Sequence, residues 1–594
     1  MFKMGADITE SGEVSFRVFA YNRKRVSLVV KREGREEVIP MCREGEHIYS
    51  RVLEGAGPGL LYKFRLDDDG DFPDPYSHFQ PEGVHGFSQV VDHRAYRWQD
   101  DQWTGKNLED LIIMEIHVGT FSPEGTFKGI VDRLDYLEEL GVNAIELMPV
   151  VQTPGRWNWG YDGANLFSVN RNYGSPEDLK HLVDSCHRKQ IAVILDVVYN
   201  HFGPEGNYLP VYGPYLTDKH KTPWGPAVNY DDRYSEYTRK MVLDNIRYWL
   251  DLYHIDGLRL DAVHAIKDNS PIHILQEIAL TTRNLALEQN RRKFIIAESD
   301  ENNSRLINPL DKGGYGMDAQ WMDDFHHCIH TILTGEHQGY YMDYGRPEDL
   351  EKVFKNYLYT GQYSRYWGRN RGTDGSRNPG KQFVVAIQNH DQVGNRVYGD
   401  RLATLVDFPF LKAAAGLVFF SAYVPLIFMG EEYGERNPFL FFTDYRDPDL
   451  KKNVSRGRKE EFRKFGWKDV PDPQDPETFY RSRLTPPELW EEENRQLFRF
   501  YRDLIRLRLS HPVLRELDKH HLEVKVNGTN LLVEATRWKG RLKLTGLFNL
   551  GDQVIPLDGY PGKQIFNSDW RVYGGDQDGN SRFLKKGQVV ILES

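Results

Sequence analysis

Eight unbroken apolar runs in the middle of the chain constrain its fold more than any other feature. They lie in the segments LIIMEIHV, AIELMPV, AVILDVVYNH, DGLRLDAV, FIIAESD, DAQWMDDF, FVVAIQNHD and PLIFMGEE, with helical patterns between most of them. Continuous rather than alternating apolar residues are typical of parallel strands that helices cover. We therefore predict an α/β fold in which these strands close into a (β/α)8 TIM barrel. A doubly wound open sheet is the alternative, but no glycine-rich phosphate loop follows the first run.

Alternating patterns flank this central region on both sides. Residues 1–100 contain the short runs VSFRVFAY, RVSLVV and LLYKFRL between Gly, Asp and Pro turns, and we predict an N-terminal β-sandwich there. Residues 512–594 alternate again, with a hairpin signal at Asn527-Gly528, and we predict a small C-terminal antiparallel β domain. The predicted barrel, with long inserted loops, takes residues 101–511.

Charge and cysteine content narrow the class of protein. The formal net charge of -11 at pH 7 argues against nucleic acid or an anionic membrane as the main partner and favours a neutral, polar ligand. Cys42, Cys186 and Cys328 lie far apart, which favours a reducing, cytoplasmic location over a disulfide framework. The N-terminus lacks the apolar segment of a signal peptide. The long apolar stretch 413–430 is divided by Pro425, so we predict a buried helix and strand rather than a membrane span.

Charged, amide or imidazole side chains follow six of the eight runs. In a barrel the active site lies at the carboxyl ends of the strands, so we predict that these side chains share one mouth. They are Asn200-His201, Arg259 and Asp261, Glu298 and Asp300, Asp323-Asp324, His390-Asp391, and Glu431-Glu432.

Two of these carboxyl groups have the surroundings of a nucleophile and a general acid. Arg259 and Asp261 are two positions apart on one strand, so they project to the same face and Arg259 can hold Asp261 ionised. Glu298 emerges from the apolar strand FIIA, which favours a higher pKa. In a retaining glycosidase one carboxylate attacks the anomeric carbon, and the other protonates the leaving oxygen and later activates water. His390 and Asp391 would complete such a sugar site.

Each motif alone also has an ordinary structural explanation. An Arg-x-Asp sequence such as 259–261 is most often an ion pair, and Asn200-His201 could be a turn. The DDFHH segment at 323–327 could be a capped helix start or, with His330, a metal cluster. The functional interpretation depends on all these residues falling at the ends of successive strands of one barrel.

Four segments resemble, in order, the signature regions of the α-amylase superfamily of glycoside hydrolases. They are DVVYNH (196–201), DGLRLDAVH (256–264), IIAESD (295–300) and QNHDQ (388–392). The resemblance implies that Asp261 is the nucleophile, Glu298 the acid/base and Asp391 the transition-state stabiliser. It also implies that five further side chains contact sugar: Tyr161, His201, Arg259, His264 and His390. Of these, the Tyr161 ring would stack on the -1 glucose.

Within that superfamily the chain is similar to the maltooligosyltrehalose trehalohydrolases. The similarity lies in EIHVGTFSPEGTF, NHFGPEGNYL, DAVHAIKDNSP, AESDENN, QWMDDFHH and IQNHDQVGNR. It implies cleavage of the α-1,4 bond next to the terminal trehalose of maltooligosyltrehalose, with maltooligosyltrehalose synthase as the pathway neighbour. Trp224 in the KTPWG loop is a candidate wall for the trehalose unit. The resemblance further implies that the substrate groove is lined by Asp323, Asp324, His327, Gln392 and Asn395.

Other functions remain open at this point. A branching or debranching enzyme, or a general amylase, shares the same motifs, although Ser299-Asp300 stands where debranching relatives commonly have Pro-Trp. A metal-dependent barrel hydrolase could use His326, His327 and His330, and a non-catalytic glucan-binding protein could keep the fold. Many amylases bind calcium through the residue equivalent to Asn200, but its acidic partners are not identifiable here. We therefore predict no cofactor and no required metal.

Overall fold

A computed structural model describes residues 4–222, 225–463 and 469–594, and eight parallel strands form its centre. Each strand pairs with the next one along the chain, and the eighth pairs with the first, which closes the barrel. Each predicted apolar run supplies one strand, so the barrel prediction is confirmed. The strands are Ile113–Ile116, Ala144–Leu147, Ala192–Val197, Gly257–Leu260, Phe294–Ala297, Ala319–Trp321, Phe383–Ala386 and Val424–Phe428.

Helices follow most of the barrel strands. They include Leu134–Leu140, Pro176–Arg188, Ser235–Arg247, Ile274–Gln289, Asp323–Thr334, Phe408–Phe420 and Glu492–Ser510. The stretch 413–430 is a buried helix and a buried strand, as predicted. In the part of the chain that the structure describes, no helix is both long and apolar enough to cross a membrane.

The connection after the fifth strand departs from the predicted alternation of strand and helix. It contains the 3-10 turns Ser304–Leu306 and Leu310–Lys312 where a covering helix was expected. The sequence of residues 308–318, which includes the second turn and ends at the sixth strand, reads NPLDKGGYGMD. Proline and closely spaced glycines disfavour a continuous helix, because proline removes a backbone donor and glycine loses the most conformational entropy.

Antiparallel sheets stand at both ends of the chain, as predicted. The N-terminal sandwich consists of one sheet of Gly5–Ile8, Val14–Phe19, Ile48–Leu53 and Cys42–Glu44, and another of Arg35–Pro40, Val26–Arg32, Leu61–Leu66 and Asp71–Phe72, with Ser88–Gln89 alongside. The C-terminal sheet contains Leu522–Asn527, Leu532–Lys539, Leu542–Asn549, Val589–Glu593 and Lys563–Asn567. The hairpin predicted at Asn527-Gly528 joins its first two strands.

The inside of the barrel changes from apolar to ionic along the strands. Near the amino ends, Ile113, Ala144 and Ile194 belong to one buried apolar cluster. Side chains two positions apart share a face, so the acids two positions further along the same strands also point inward. Arg259 pairs in register with Asp196, the third of these acids. We call the four residues the ionic layer: Glu115, Glu146, Asp196 and Arg259.

A buried charge network fixes the segment before the barrel to the amino-terminal end of the fourth strand. His187 Nδ1 lies 2.8 Å from Asp100 Oδ2, and His187 Nε2 lies 2.9 Å from Asp256 Oδ2. The Trp103 indole donates to Asp256 and stacks on the His187 ring at 4.7 Å. Burial alone would lower the pKa of His187, but Asp256 and Asp100 together raise it, so the imidazole carries a proton between two carboxylates.

We expect His187→Gln to lower the free energy of unfolding by about 3 kcal/mol, with the largest loss between about pH 4 and pH 6.5. Because its pKa is raised in the folded state, His187 contributes fully to the free energy of unfolding below about pH 6.5. That contribution is lost as the pH rises through the folded-state pKa. The lowered pKa values of Asp100 and Asp256 make theirs complete above about pH 4. Denaturant unfolding across this range measures the difference.

His181→Gln is the matched control, because His181 lies on the same helix and is exposed. It should change the free energy of unfolding little at any pH. A loss that His187→Gln shows equally at acidic, neutral and alkaline pH would mean that the imidazole at 187 is not charged.

Candidate active site

Asp261 follows the fourth barrel strand, and two neighbours contact its carboxylate. Arg259 Nη1 lies 2.9 Å from Asp261 Oδ1, and the Asn200 amide donates to Asp261 Oδ2 at 2.8 Å. Burial alone would raise the pKa of Asp261, but Arg259, His201 and the Asn200 hydrogen bond together lower it. The group is therefore ionised at neutral pH, as a nucleophile must be.

Glu298 follows the fifth strand and has the opposite electrostatic setting. Burial raises the pKa of Glu298 well above its ordinary value, and repulsion from Asp261, Asp391 and Asp323 adds to this rise. Its Oε2 accepts a hydrogen bond of 2.6 Å from the backbone N–H of Ala262. Ala262 has φ 38°, in the left-handed region, where a residue with a side chain is uncommon. This local conformation accompanies the hydrogen bond that links the two strand ends.

Arg259 connects the two carboxyl groups. It is fully buried, its Nη1 lies 2.7 Å from Asp196 Oδ2, and its guanidinium stands 4.3 Å from the centre of the Trp321 ring. Its Nη2 lies 3.7 Å from Glu298 Oε2, against 2.9 Å between Nη1 and Asp261 Oδ1. One cation thus holds Asp261 closely and Glu298 loosely, which fits their opposite pKa shifts.

His390 and Tyr161 form the floor beside Asp391. The backbone N–H of His390 donates to Glu115 Oε2 at 2.7 Å, and its Nδ1 contacts the other oxygen of Glu115. The Tyr161 hydroxyl lies 2.7 Å from His390 Nε2 and donates to Asp196 Oδ2 at 2.6 Å. Burial would lower the pKa of His390, but Asp391 and Glu115 raise it to about 9. An imidazolium therefore lies 3.4 Å from Asp391.

Asn200 and His201, which follow the third strand, lie beside Asp261. Besides its contact with the Asp261 carboxylate, the Asn200 amide donates to the Asp261 backbone carbonyl at 2.7 Å. His201 contacts the Asn200 side chain through Nδ1 and the Tyr161 carbonyl through Nε2 at 3.0 Å. The Asn200 side chain, considered above as a calcium ligand, is thus a hydrogen-bond donor to Asp261.

The remaining predicted site residues divide into two groups. Asp323, Asp391 and His264 are partly exposed, and Asn395 is exposed and donates to Asp391 Oδ1 at 3.1 Å. Burial raises the pKa of Asp323 to about 7, with repulsion from Asp391 and Asp300 contributing. His264 Nδ1 lies 3.9 Å from Asp300 Oδ1. These side chains can reach a ligand at the mouth.

The second group lies mostly inside the protein. Asp324 is fully buried, and its carboxylate accepts from the Asn302 amide at 2.6 Å, the Tyr344 hydroxyl at 2.6 Å and the Leu358 backbone N–H at 2.7 Å. It therefore anchors the inserted loops rather than facing the groove. His327 and Gln392 are also largely buried, and both contact Tyr340. Trp224 lies outside the residues that the structure describes.

The three clustered histidines have protein partners of their own. His326 Nδ1 lies 3.0 Å from His327 Nδ1, and His330 Nε2 lies 2.8 Å from Glu336 Oε2. Among residues 4–222, 225–463 and 469–594, the His, Cys, Asp and Glu side chains close enough to share one ion are found elsewhere, before the C-terminal sheet: Glu516, Asp518 and His521.

Sequence reasoning did not single out four residues that support the site. Glu115 holds His390, Asp196 holds Arg259 and Tyr161, and the Trp321 ring faces Arg259. Glu146 lies in the same ionic layer. The available signal was an acid inside an otherwise apolar strand, because a buried carboxyl group needs a partner or a function.

The barrel and the paired carboxyl groups at its mouth define a glycoside hydrolase of the α-amylase type. The family model of the α-amylase catalytic domain matches residues 75–213, and that of carbohydrate-binding module 48, the isoamylase N-terminal domain, matches residues 3–77. The chain belongs to the malto-oligosyltrehalose trehalohydrolase family within this class.

Membership follows from similarity over most of the chain. The malto-oligosyltrehalose trehalohydrolase of Saccharolobus solfataricus is 46% identical over 505 residues, which cover 85% of this chain and 86% of the relative. That of Mycobacterium tuberculosis is 41% identical over 540 residues, covering 86% and 91%. A crystal structure of a candidate α-amylase from Salmonella typhimurium is 36% identical and matches with a TM-score of 0.90 over 100% of both chains.

Proposed function

We propose that this chain hydrolyses the α-1,4-glucosidic bond next to the terminal trehalose of maltooligosyltrehalose and releases trehalose with retention of configuration. The observation that carries the proposal is the opposite ionisation of Asp261 and Glu298 beside one buried guanidinium. A retaining glycosidase needs this pair of states before the substrate reacts. Family membership supports the choice of substrate.

The reaction would proceed in two displacements. Asp261 attacks the anomeric carbon of the -1 glucose while Glu298 gives its proton to the glycosidic oxygen, and trehalose leaves. Glu298, now ionised, then removes a proton from water, which attacks the glycosyl ester and frees Asp261. Arg259 keeps Asp261 anionic at the start of each cycle.

The remaining mouth residues would bind and orient the -1 sugar. Asp391 stands beside the charged His390 and would accept hydrogen bonds from the glucose hydroxyls, which strengthen in the transition state. The Tyr161 ring, fixed by two hydrogen bonds through its hydroxyl, would stack on the glucose. We propose further sugar contacts by His201, His264, Asp323, Gln392, Asn395 and Trp224, with Asp324 and His327 acting from behind.

The proposal extends to the setting of the enzyme. Its substrate would come from maltooligosyltrehalose synthase, and we propose a cytoplasmic location and a reaction that requires neither cofactor nor metal. Full activity after dialysis against a chelator would separate this enzyme from a metal-dependent barrel hydrolase.

We expect maltotriosyltrehalose to be split into maltotriose and trehalose, with kcat/KM at least about 10-fold above that for maltopentaose. The two substrates have equal length and differ only in the linkage at the last glucose. Trehalose bends at its α,α-1,1 link, so a pocket shaped for that bend gains binding energy that a linear maltose unit does not supply. Chromatography of the products from each substrate measures the preference.

Three other results would assign a different function. Comparable rates on both substrates would indicate a general amylase, and cleavage of pullulan at α-1,6 links would indicate a debranching enzyme. New α-1,6 links in an incubated glucan would indicate a branching enzyme.

A further inference from the structure

Glu146 is a buried acid in the barrel that the reaction described above does not use. It lies on the second strand and is 1% exposed. Within the described part of the chain, neither of its carboxyl oxygens has a hydrogen-bond partner. Buried polar atoms almost always have a hydrogen-bond partner, and leaving a buried carboxyl group without one costs much free energy.

Other unpaired polar atoms lie in the same region of the lumen. Counting only residues that the structure describes, Asp196 Oδ1, Arg259 Nε and Nη2, and Trp321 Nε1 also lack hydrogen-bond partners. The Arg259 guanidinium joins the three residues, because it lies 2.7 Å from Asp196 Oδ2 and 4.3 Å from the centre of the Trp321 ring. The unpaired atoms therefore comprise one acceptor on Asp196 and donors on Arg259 and Trp321.

The cations around Glu146 already have other carboxylate partners. The groups that act on it electrostatically come from the first, third, fourth and seventh strands: Glu115, Asp196, Arg259 and His390. Glu115 contacts His390, while Asp196 and Asp261 both contact Arg259. An ionised Glu146 would add a buried negative charge beside cations that carboxylates already contact. Burial and repulsion from Glu115 raise the pKa of Glu146 well above its ordinary value.

We propose that Glu146 is a positioning residue for the nucleophile: as a neutral carboxylic acid it completes, through buried water, the hydrogen bonding of Asp196, Arg259 and Trp321. A neutral carboxyl group offers one donor and free acceptor capacity, which matches the acceptor on Asp196 and the donors on Arg259 and Trp321. An ionised group would offer acceptors alone. Ordered water commonly bridges such buried groups. The completed network holds the guanidinium that orients Asp261, so the proposal rests on the proposed function.

Infrared difference spectroscopy tests the protonation state without any substrate. The spectrum of the wild-type protein minus that of Glu146→Gln, at neutral pH, should contain the C=O stretch of a protonated carboxylic acid. A carboxylate stretch in its place would overturn the proposal. Because no reaction is measured, this result stands even if the enzyme acts on a substrate other than maltooligosyltrehalose.

Kinetics tests the positioning role on whichever glucan the wild-type enzyme cleaves. Glu146→Leu should lower kcat by about 10- to 100-fold with little change in KM, because a slightly misplaced nucleophile slows the chemical step. The acidic limb of the pH–rate profile of Glu146→Leu should move to higher pH, because a less firmly held Arg259 lowers the pKa of Asp261 less. Glu146→Gln should restore most of the activity, because an amide also offers donors and an acceptor.

The matched control is Ile194→Val, which changes packing at the lumen position in register with Glu146 and removes no polar group. Its kcat and pH profile should stay close to those of the wild-type enzyme. Wild-type kcat in Glu146→Leu would overturn the positioning role, and so would a loss in Glu146→Gln as large as that in Glu146→Leu. If Glu146→Leu does not fold, the Gln variant and the infrared spectrum decide the question.

Discussion

Asp261→Asn should lower kcat by roughly three orders of magnitude or more while the protein remains folded. The amide oxygen is a poor nucleophile. Asp196 also contacts Arg259, but it lies within the third strand, in the ionic layer, rather than at the mouth. Steady-state rates on maltotriosyltrehalose measure the loss, and thermal unfolding confirms that the variant is folded. A kcat near the wild-type value would mean that the nucleophile has been assigned wrongly.

Asp300→Asn is the matched control for that variant. Asp300 is a second acid at the mouth, follows the same strand as Glu298, and lies 3.9 Å from His264 rather than against the Arg259 guanidinium. The Asp300→Asn substitution therefore removes one carboxyl group from the same mouth, as Asp261→Asn does. A loss of less than about 10-fold is expected, since substitution of a residue outside the bond-breaking pair affects binding more than chemistry.

Glu298→Gln should also abolish most of the activity on natural substrates, because neither protonation of the leaving oxygen nor activation of water remains. The first step should survive on an α-glycosyl fluoride, since fluoride leaves without a proton. The glycosyl ester then waits for a nucleophile that needs no general base. Added azide should therefore raise the rate and give the α-glycosyl azide. A β-azide would indicate that residue 298 is the nucleophile.

The pH dependence of the wild-type enzyme should follow from the same two groups. The lowered pKa of Asp261 places the acidic limb, where protonation removes the nucleophile, and the raised pKa of Glu298 places the basic limb, where ionisation removes the acid. The residual activity of Glu298→Gln should lack the basic limb. An unchanged basic limb would assign that ionisation to another group, with His390 the first to examine.

The sequence predicts the barrel and the two carboxyl groups that we propose as catalytic, because both depend on local patterns. A strand that is buried on both faces has a continuous apolar pattern, and parallel strands place their carboxyl ends at one mouth. The sequence alone therefore predicts that Asp261 and Glu298 lie close together, without any measured distance. Their opposite pKa shifts could be anticipated too, from a neighbouring arginine in one case and an apolar strand in the other.

The rest depends on contacts between distant segments. Glu115 and His390 are 275 positions apart, and no local pattern pairs them. The family resemblance implies that Asp324 lines the groove, but its carboxylate accepts hydrogen bonds from loops at residues 302, 344 and 358. The helix expected after the fifth strand is absent from the described connection for a local reason, its proline and glycines.

The division of the barrel lumen into an apolar part and an ionic layer has a consequence for directed evolution. Natural enzymes often lose activity when they are stabilised, because the same residues serve both properties. Here the apolar residues near the amino ends, such as Ile113, Ala144 and Ile194, lie two positions before the acids of the ionic layer, which adjoin the proposed active site. A mutational library restricted to the apolar part should yield thermostable variants that keep their turnover, whereas a library at the ionic layer should couple the two properties.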